Sequence, residues 1–322
     1  MLPSKDELTI CFAHPAYQMA ARFVARGTGI AHFQARNPQD YAARLPDADV
    51  VVSSMLWRND LVPQAKRLRF VQSISAGIDQ YDKAVFRAHG IRLASAAGVN
   101  AHAVAEHALA LILALKRHIH TGRDNQAAKV WRGMISDIPA REDELGGKTL
   151  LIVGLGRIGT RLAKLAKAFD LRVVATRRDA SRGGEGADAV HGHDRLHELL
   201  PTADIVAVTC PLTPETTNLI DAKAFALMKP TAHLVNVARG RVVDEDALIR
   251  ALGEKRIAAA GLDVTREEPL PTTSPLWTMQ NVLITPHTAG ETQRYEDGVI
   301  DLLLENLGRL WQGETTLLNQ VV

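Results

Sequence analysis

Cysteine is scarce, with two among 322 residues, and Cys11 and Cys210 lie far apart with no metal-ligand spacing. A chain of this length needs no covalent staples, so reduced thiols, no metal site and a cytoplasmic location are expected. A dominant charge is also missing. There are 38 Lys and Arg against 36 Asp and Glu, a formal net charge of +2, which gives no reason to expect nucleic acid or an anionic membrane as partner. Long apolar runs are absent as well. The richest, "ALALILAL" at 108–115, is far short of a membrane span and reads as a buried helix. The opening "MLPSKDELTICFAHP" lacks a basic start followed by an apolar stretch, so no secretory signal is expected. Repeats and low-complexity tracts are missing too, and "SRGGEGAD" at 181–188 reads as the one plainly flexible loop.

What the chain does have is ordinary globular composition, 46% hydrophobic and 23% charged, over a length that exceeds one hydrophobic core. Short β-rich runs alternate with helical patterns. The first third offers "LTICFA", "ADVVVSS", "RFVQSI" and "GIRLAS"; the middle offers "TLLIVG", "LRVVAT", "DIVAVT", "AHLVNV", "AAAGLDV" and "NVLITP". The middle runs are rich in Val, Ile and Leu and do not alternate, as expected of parallel strands buried on both faces. Between them, stretches such as "DEDALIRALGEK" have helical periodicity and an acidic first turn. The fold class expected is α/β with two doubly wound domains. One long helix is expected over 100–120 and another in the last segment, "ETQRYEDGVIDLLLENLGRLWQG". A dinucleotide-binding domain at 100–287 is thus expected to be inserted into a flavodoxin-like lobe of residues 1–99 and 288–322.

The dinucleotide expectation comes from "LLIVGLGRIG", a strand followed by Gly154-Leu155-Gly156-Arg157-Ile158-Gly159 and an amphipathic helix. Gly154 permits the tight turn, Gly156 lets backbone approach a diphosphate, and Gly159 allows close packing of helix on strand. The helix N-terminus then attracts the anion. The motif alone is weak; with strand, helix and next strand in place it is much stronger. That next strand ends Thr176-Arg177-Arg178, about 18 residues past Gly159, where an NAD site usually has a carboxylate for the ribose hydroxyls. Two guanidinium groups and a hydroxyl suit a 2′-phosphate instead, which favours NADP(H). If both arginines are merely solvated surface charges, NAD(H) remains open.

Three residues stand after strands of the second half: Arg239 after "AHLVNVA", Glu268 beyond "GLDV", and His287 after "NVLITP". Carboxyl ends of parallel strands are where α/β sheets present ligands. Singly, each has an ordinary reading, as a surface cation, a solvated turn residue and a hydrogen-bonded core histidine.

Together with "SISAGIDQYD", "GVNAHAVAEHALALILAL", "ELGGKTLLIVGLGRIG", "PLTPETTNLI", "LVNVARGRVVDEDAL", "GLDVTREEPL" and "NVLITPHTAG", they give a pattern covering essentially the whole chain. It resembles the D-isomer-specific 2-hydroxyacid dehydrogenases, particularly their glyoxylate/hydroxypyruvate reductase branch. The resemblance implies that Arg239, Glu268 and His287 are the catalytic set and that backbone N–H groups at Ala76 and Gly77 hold the substrate carboxylate. It implies further cofactor contacts at Cys210, Pro211, Thr216, Ala238, Asp263 (to the nicotinamide carboxamide) and Gly290. The first half becomes a substrate lobe closing over the nicotinamide.

The implied chemistry needs these residue types. Hydride delivered to a keto carbon leaves negative charge growing on the oxygen. Arginine holds the carboxylate or polarises the carbonyl with a fixed fork. Histidine protonates the developing alkoxide, and a glutamate beside it orients the ring. Expected partners are a small 2-keto or 2-hydroxy acid and a second copy of the chain, since "HAVAEHALALILAL" is more apolar than one lobe requires. Trp57 and Trp131 read either as pocket wall or as core and dimer packing. Alternatives are an NAD(H)-dependent reductase of bulkier 2-keto acids and a dinucleotide-sensing corepressor, a role that would usually need longer interaction tails.

Overall fold

Runs of Val, Ile and Leu become strands here because helices and loops cover both faces of the sheets they form. In the computed structural model, which describes residues 2–322, the chain divides into two units. One is made of residues up to Asn100 and Glu291–Val322, the other of Ala101–Gly290.

The first unit has strands β1 (Thr9–Ala13), β2 (Ala31–Ala35), β3 (Val50–Ser53), β4 (Phe70–Ser73) and β5 (Arg92–Ala94), with helices α1 (Met19–Val24), α2 (Pro38–Arg44) and α3 (Lys83–Ala88). Its sheet runs β2-β1-β3-β4-β5, with every pairing parallel. That is the flavodoxin-like doubly wound order. Asp82 caps α3 by accepting from the Ala84 and Val85 N–H groups, and such a cap contributes about 1 kcal/mol.

The second unit has strands β6 (Thr149–Val153), β7 (Arg172–Arg177), β8 (Ala189–Gly192), β9 (Ile205–Val208), β10 (His233–Asn236), β11 (Ala259–Leu262) and β12 (Val282–Ile284). They run β12-β11-β10-β9-β6-β7-β8, again all parallel. Strand order reverses between β6 and β9, where doubly wound sheets open a ligand crevice. Its helices are α4 (Ala101–Lys116), α5 (Ile119–Ala127), α6 (Arg157–Lys167), α7 (Leu196–Leu199), α8 (Ala222–Leu227) and α9 (Glu245–Gly253). The last helix, α10 (Tyr295–Trp311), returns to the first unit. There Val299, Ile300, Leu303 and Leu307 join Phe12, Phe23 and Ile74 in one buried cluster.

Four sequence expectations change. β2 and β8 were not among the anticipated runs; both are sheet edges with partly exposed residues, so neither needs a continuous apolar stretch. The helix expected over 100–120 is two helices, broken at His118, whose φ of 51° is left-handed. The apolar length of α4 is taken up inside its own unit, where Val104, Ala108, Leu111 and Leu115 cluster with Leu150, Ile152 and Val235. The segment 181–188 is fitted rather than loose: a Cβ on Gly184 would lie 2.1 Å from Leu155, and one on Gly186 would lie 3.0 Å from the Lys164 backbone nitrogen. Trp57 is core, 6% exposed and packed on Tyr81 and Phe86 at ring-centroid distances of 5.5 and 5.1 Å.

Among the described residues no helix is long and apolar enough to cross a membrane. None of their His, Cys, Asp and Glu side chains form a group of three or more placed to hold a metal ion.

Candidate active site

Arg239, Glu268 and His287 follow β10, β11 and β12, three adjacent strands. Sheet order therefore brings together residues that the sequence separates. The His287 Nδ1 and Glu268 Oε2 atoms are 2.7 Å apart, with side chains 46% and 38% exposed. The second Glu268 oxygen accepts from the Thr265 N–H at 3.1 Å. Partial burial pushes the Glu268 carboxyl up. The His287 hydrogen bond and charge, the Thr265 N–H and the Arg239 charge outweigh it and hold the carboxyl below its ordinary range.

Arg239 is aimed by its own turn. Buried Asn236 donates from Nδ2 to the Arg239 carbonyl at 3.0 Å and accepts the Ala238 N–H at 3.1 Å. The guanidinium donates from Nη1 to the Ala238 carbonyl at 2.8 Å. Ala238 is 9% exposed. Gly240 then lets this turn press against the segment carrying Glu268, since a Cβ there would meet the Thr265 carbonyl oxygen at 1.9 Å.

Asp263, 2% exposed, stands just past β11. Its Oδ1 accepts from Thr285 Oγ1 at 2.7 Å and from the Thr288 N–H at 3.0 Å, and its Oδ2 accepts from the Ala289 N–H at 3.0 Å. The loop bearing His287 is thus wrapped around one carboxylate. His287 has a φ of 55°, a left-handed conformation that costs a non-glycine residue about 1–2 kcal/mol. Gly290 closes this loop, half-buried.

The glycine turn lies between β6 and α6, at the reversal of strand order. Gly154 has φ 103°, and a Cβ on it would strike the Cys210 backbone at 2.6 Å. A Cβ on Gly159 would lie 2.6 Å from the Gly154 carbonyl oxygen, so helix and turn touch directly. Gly156 is exposed, with open space where its Cβ would be. It begins α6 without a side-chain cap, and the first turn of a helix leaves N–H groups without intrahelical acceptors. With Arg157 exposed and Ile158 half-buried beside it, the turn fits a diphosphate.

Around it, Thr176 is buried, and its carbonyl accepts the Gly154 and Leu155 N–H groups at 3.1 and 2.8 Å. Arg177 donates from Nη1 to the Gly183 carbonyl at 2.6 Å, and Arg178 is exposed. Cys210 is buried after β9, and burial pushes its thiol up to about 11. Pro211 accepts the Thr216 hydroxyl at 2.7 Å, so the Thr216 side chain braces that turn. Ala76 and Gly77 are half-buried in the loop after β4, in the other unit.

Sequence reasoning missed Asn236, Thr265, Thr285 and His107, whose Nε2 is 2.8 Å from Thr285 Oγ1. The available signal was polarity in apolar surroundings: an Asn within "LVNVA" and a His within "AEHALAL".

Known proteins match the chain in sequence and fold. A family model described as the NAD-binding domain of D-isomer specific 2-hydroxyacid dehydrogenases matches residues 109–289. A glyoxylate reductase of Pyrococcus furiosus is 38% identical over 289 residues, spanning 87% of this chain and 84% of its own. The NADPH-dependent glyoxylate/hydroxypyruvate reductase of Sinorhizobium meliloti, solved with NADP and malonate, has a TM-score of 0.82 at 26% identity, covering 98% of this chain and 97% of that one. The NAD-dependent formate dehydrogenase of Staphylococcus aureus, solved with NAD, also scores 0.82 at 26% identity, covering 98% and 99%. A nicotinamide dinucleotide therefore suits the glycine turn. With the family model matching residues 109–289 and a relative 38% identical over 87% of the chain, the chain belongs to the D-isomer specific 2-hydroxyacid dehydrogenases, a family of oxidoreductases.

Proposed function

We propose that this protein is an NADPH-dependent reductase of small 2-keto acids, of the glyoxylate/hydroxypyruvate type, yielding D-2-hydroxy acids. The observation that carries the reading is the His287–Glu268 pair at 2.7 Å, with Arg239 on the neighbouring strand end. The cofactor, when bound, supplies the hydride. The chain's own residues do the rest. Glu268 accepts a hydrogen bond from His287 Nδ1–H, which leaves Nε2 to deliver a proton to the developing alkoxide and to recover it in the reverse direction. Arg239 stabilises the negative charge growing on the substrate oxygen. Ala76 and Gly77 are assigned by resemblance as backbone donors to the carboxylate.

Gly154 to Gly159 would hold the diphosphate. Asp263 would take the nicotinamide carboxamide through Oδ2, for which one chain donor is identified. Cys210, Pro211, Thr216, Ala238 and Gly290 would line the cofactor. Preference for NADPH is supported by Arg177 and Arg178 at the end of β7, where no carboxylate stands before Asp179. Part of the Arg177 fork is already engaged with Gly183, which argues for a moderate preference. A carboxylate from another segment, Glu215, also faces Arg178 and argues in the same direction. The Glu215 carboxyl is held below its ordinary value by a Thr213 hydrogen bond first, and further by the Arg178 and His193 charges.

A homodimer is part of the same reading, though α4 is not the surface that supports it. None of α5 is buried, and the stretch from it exposes Ile119 at 57%, Val130 at 53%, Trp131 at 99%, Met134 at 100% and Ile138 at 73%. Apolar exposure on this scale marks an interaction surface, and a second copy of the chain is its proposed occupant.

The test is the loss of reduced-nicotinamide absorbance with glyoxylate, hydroxypyruvate and bulkier 2-keto acids, run with NADPH and with NADH. Turnover of the two small acids favouring NADPH is the expected result. Turnover of only the bulky acids, or equal specificity constants for both cofactors, would contradict it.

A further inference from the structure

His107 has no part in the chemistry above, yet it reaches the catalytic loop across 178 residues of sequence. It stands on α4, with Nε2 2.8 Å from Thr285 Oγ1 and 3.6 Å from Asp263 Oδ1. The direction of this chain of hydrogen bonds follows from counting protons. Asp263 already receives the Thr288 and Ala289 N–H groups, so it acts as an acceptor. An ionised carboxylate has nothing to donate, and the Thr285 hydroxyl has a single hydrogen. That hydrogen goes to Asp263 Oδ1 at 2.7 Å. The Thr285 oxygen must then accept, and His107 Nε2–H is its donor.

Residues 285–289 consequently hang on three tethers to one carboxylate, with His287 between them. The His287 N–H donates to the Asp263 carbonyl at 2.8 Å and to the Thr285 carbonyl at 3.0 Å. A left-handed φ of 55° at His287 persists only where its surroundings over-determine it. Two tethers are backbone N–H groups, which substitutions at His107 and Thr285 leave in place. The third is the Thr285 hydroxyl, and its rotamer is held from the far side by His107.

We propose that His107 is a positioning residue for His287. It locks the Thr285 hydroxyl onto Asp263 and thereby keeps the imidazole of His287 in register with Glu268. The inference rests on the reading of His287 as the proton-transfer group.

The experiment compares His107→Leu, His107→Gln, Thr285→Val, the His107→Leu/Thr285→Val double variant and His287→Gln. It measures kcat, cofactor KM and thermal midpoint for each. Misplacing a reacting group by a fraction of an ångström to 1 Å costs up to roughly 100-fold in rate, so His107→Leu should lower kcat by about 10- to 100-fold. Cofactor KM and thermal midpoint should stay near the parent's. His107→Gln, whose amide can still donate to Thr285, should recover most of the rate. Thr285→Val should match His107→Leu, and the double variant should be no worse than Thr285→Val alone, because links in one chain are not additive. Parental kcat in His107→Leu, no recovery with Gln, or additive losses in the double variant would each overturn the proposal. If His107→Leu does not fold, Thr285→Val and His107→Gln decide it: parental kcat in Thr285→Val, or a large loss in His107→Gln, overturns it. Normal turnover in His287→Gln would instead remove the proton-transfer reading itself, and with it this inference. An inactive His287→Gln beside a fully active His107→Leu would remove this inference alone.

Discussion

Gly240→Ala adds one methyl group, and the structure says where it goes. The new Cβ would lie 1.9 Å from the Thr265 carbonyl oxygen, 2.0 Å from its carbon and 2.5 Å from the Arg266 nitrogen. These are backbone atoms, so no rotamer change relieves the clash. Since Cβ atoms essentially never approach closer than 3.0 Å, the two segments must part by about 1 Å. One of them carries Arg239. The other carries the Thr265 N–H that holds Glu268, and through Glu268 the His287 ring. Displacement on this scale costs on the order of 100-fold in rate, and the strain of overpacking roughly 1–3 kcal/mol in stability. Gly240→Ala should therefore lose about two orders of magnitude in kcat and several degrees in thermal midpoint. Cofactor affinity, read by nicotinamide fluorescence, should fall less than kcat: the diphosphate turn follows β6, two strands away from β10, and only the contacts at Ala238 and Asp263 adjoin the displaced segments. Gly253→Ala, at the end of α9 with nothing within 4 Å of its Cβ, is the control and should be neutral. Turnover of Gly240→Ala indistinguishable from the parent's would refute the claim that this contact sets the geometry of the proposed catalytic residues.

His287→Gln should lower kcat by roughly 10²–10⁴-fold, the usual contribution of general acid–base catalysis, while cofactor binding survives in a fluorescence titration. Arg177→Asp should weaken NADPH tenfold or more, since one charge-assisted bond contributes roughly 1.5–3 kcal/mol. Because the substitution also frees Gly183, Arg177→Gln should be measured beside it, and the NADPH preference should shrink with added salt. Trp131→Asp combined with Met134→Asp should convert a dimer into a monomer by light scattering; a parent that is already monomeric at micromolar concentration would contradict the assembly. His233 gives a pH prediction. Burial, followed by the Lys116 charge, lowers its pKa from 6.5 to about 3. Its unfolded form binds a proton that the folded form refuses, so its contribution is intact above pH 6.5 and is lost as pH falls toward 3. Each pH unit in that window removes roughly 1.4 kcal/mol. Calorimetry from pH 7 to pH 4 should show a steeper decline for the parent than for His233→Gln, and parallel curves would refute it.

How much of this was legible beforehand depends on the range of the interaction responsible. Strands covered on both faces announce themselves as runs such as "TLLIV" and "IVAV", because every residue in them is buried. The β6 turn is legible for the same local reason: Gly154 needs a positive φ and Gly159 the absence of a side chain, whatever lies elsewhere. From such patterns the α/β class, the dinucleotide turn and the strand-end positions of Arg239, Glu268 and His287 follow by sequence alone. Edge strands β2 and β8 do not announce themselves, since partly exposed positions place no demand on composition. Nor does the break at His118, where no glycine or proline marks the left-handed residue. Tertiary structure alone decided that Gly240 must be bare, that His287 meets Glu268 at 2.7 Å, and that His107 on α4 reaches Thr285. Those contacts depend on which strand ends are neighbours in the sheet and how closely their loops approach, and sheet order is set by the packing of the whole unit rather than by any one segment of it.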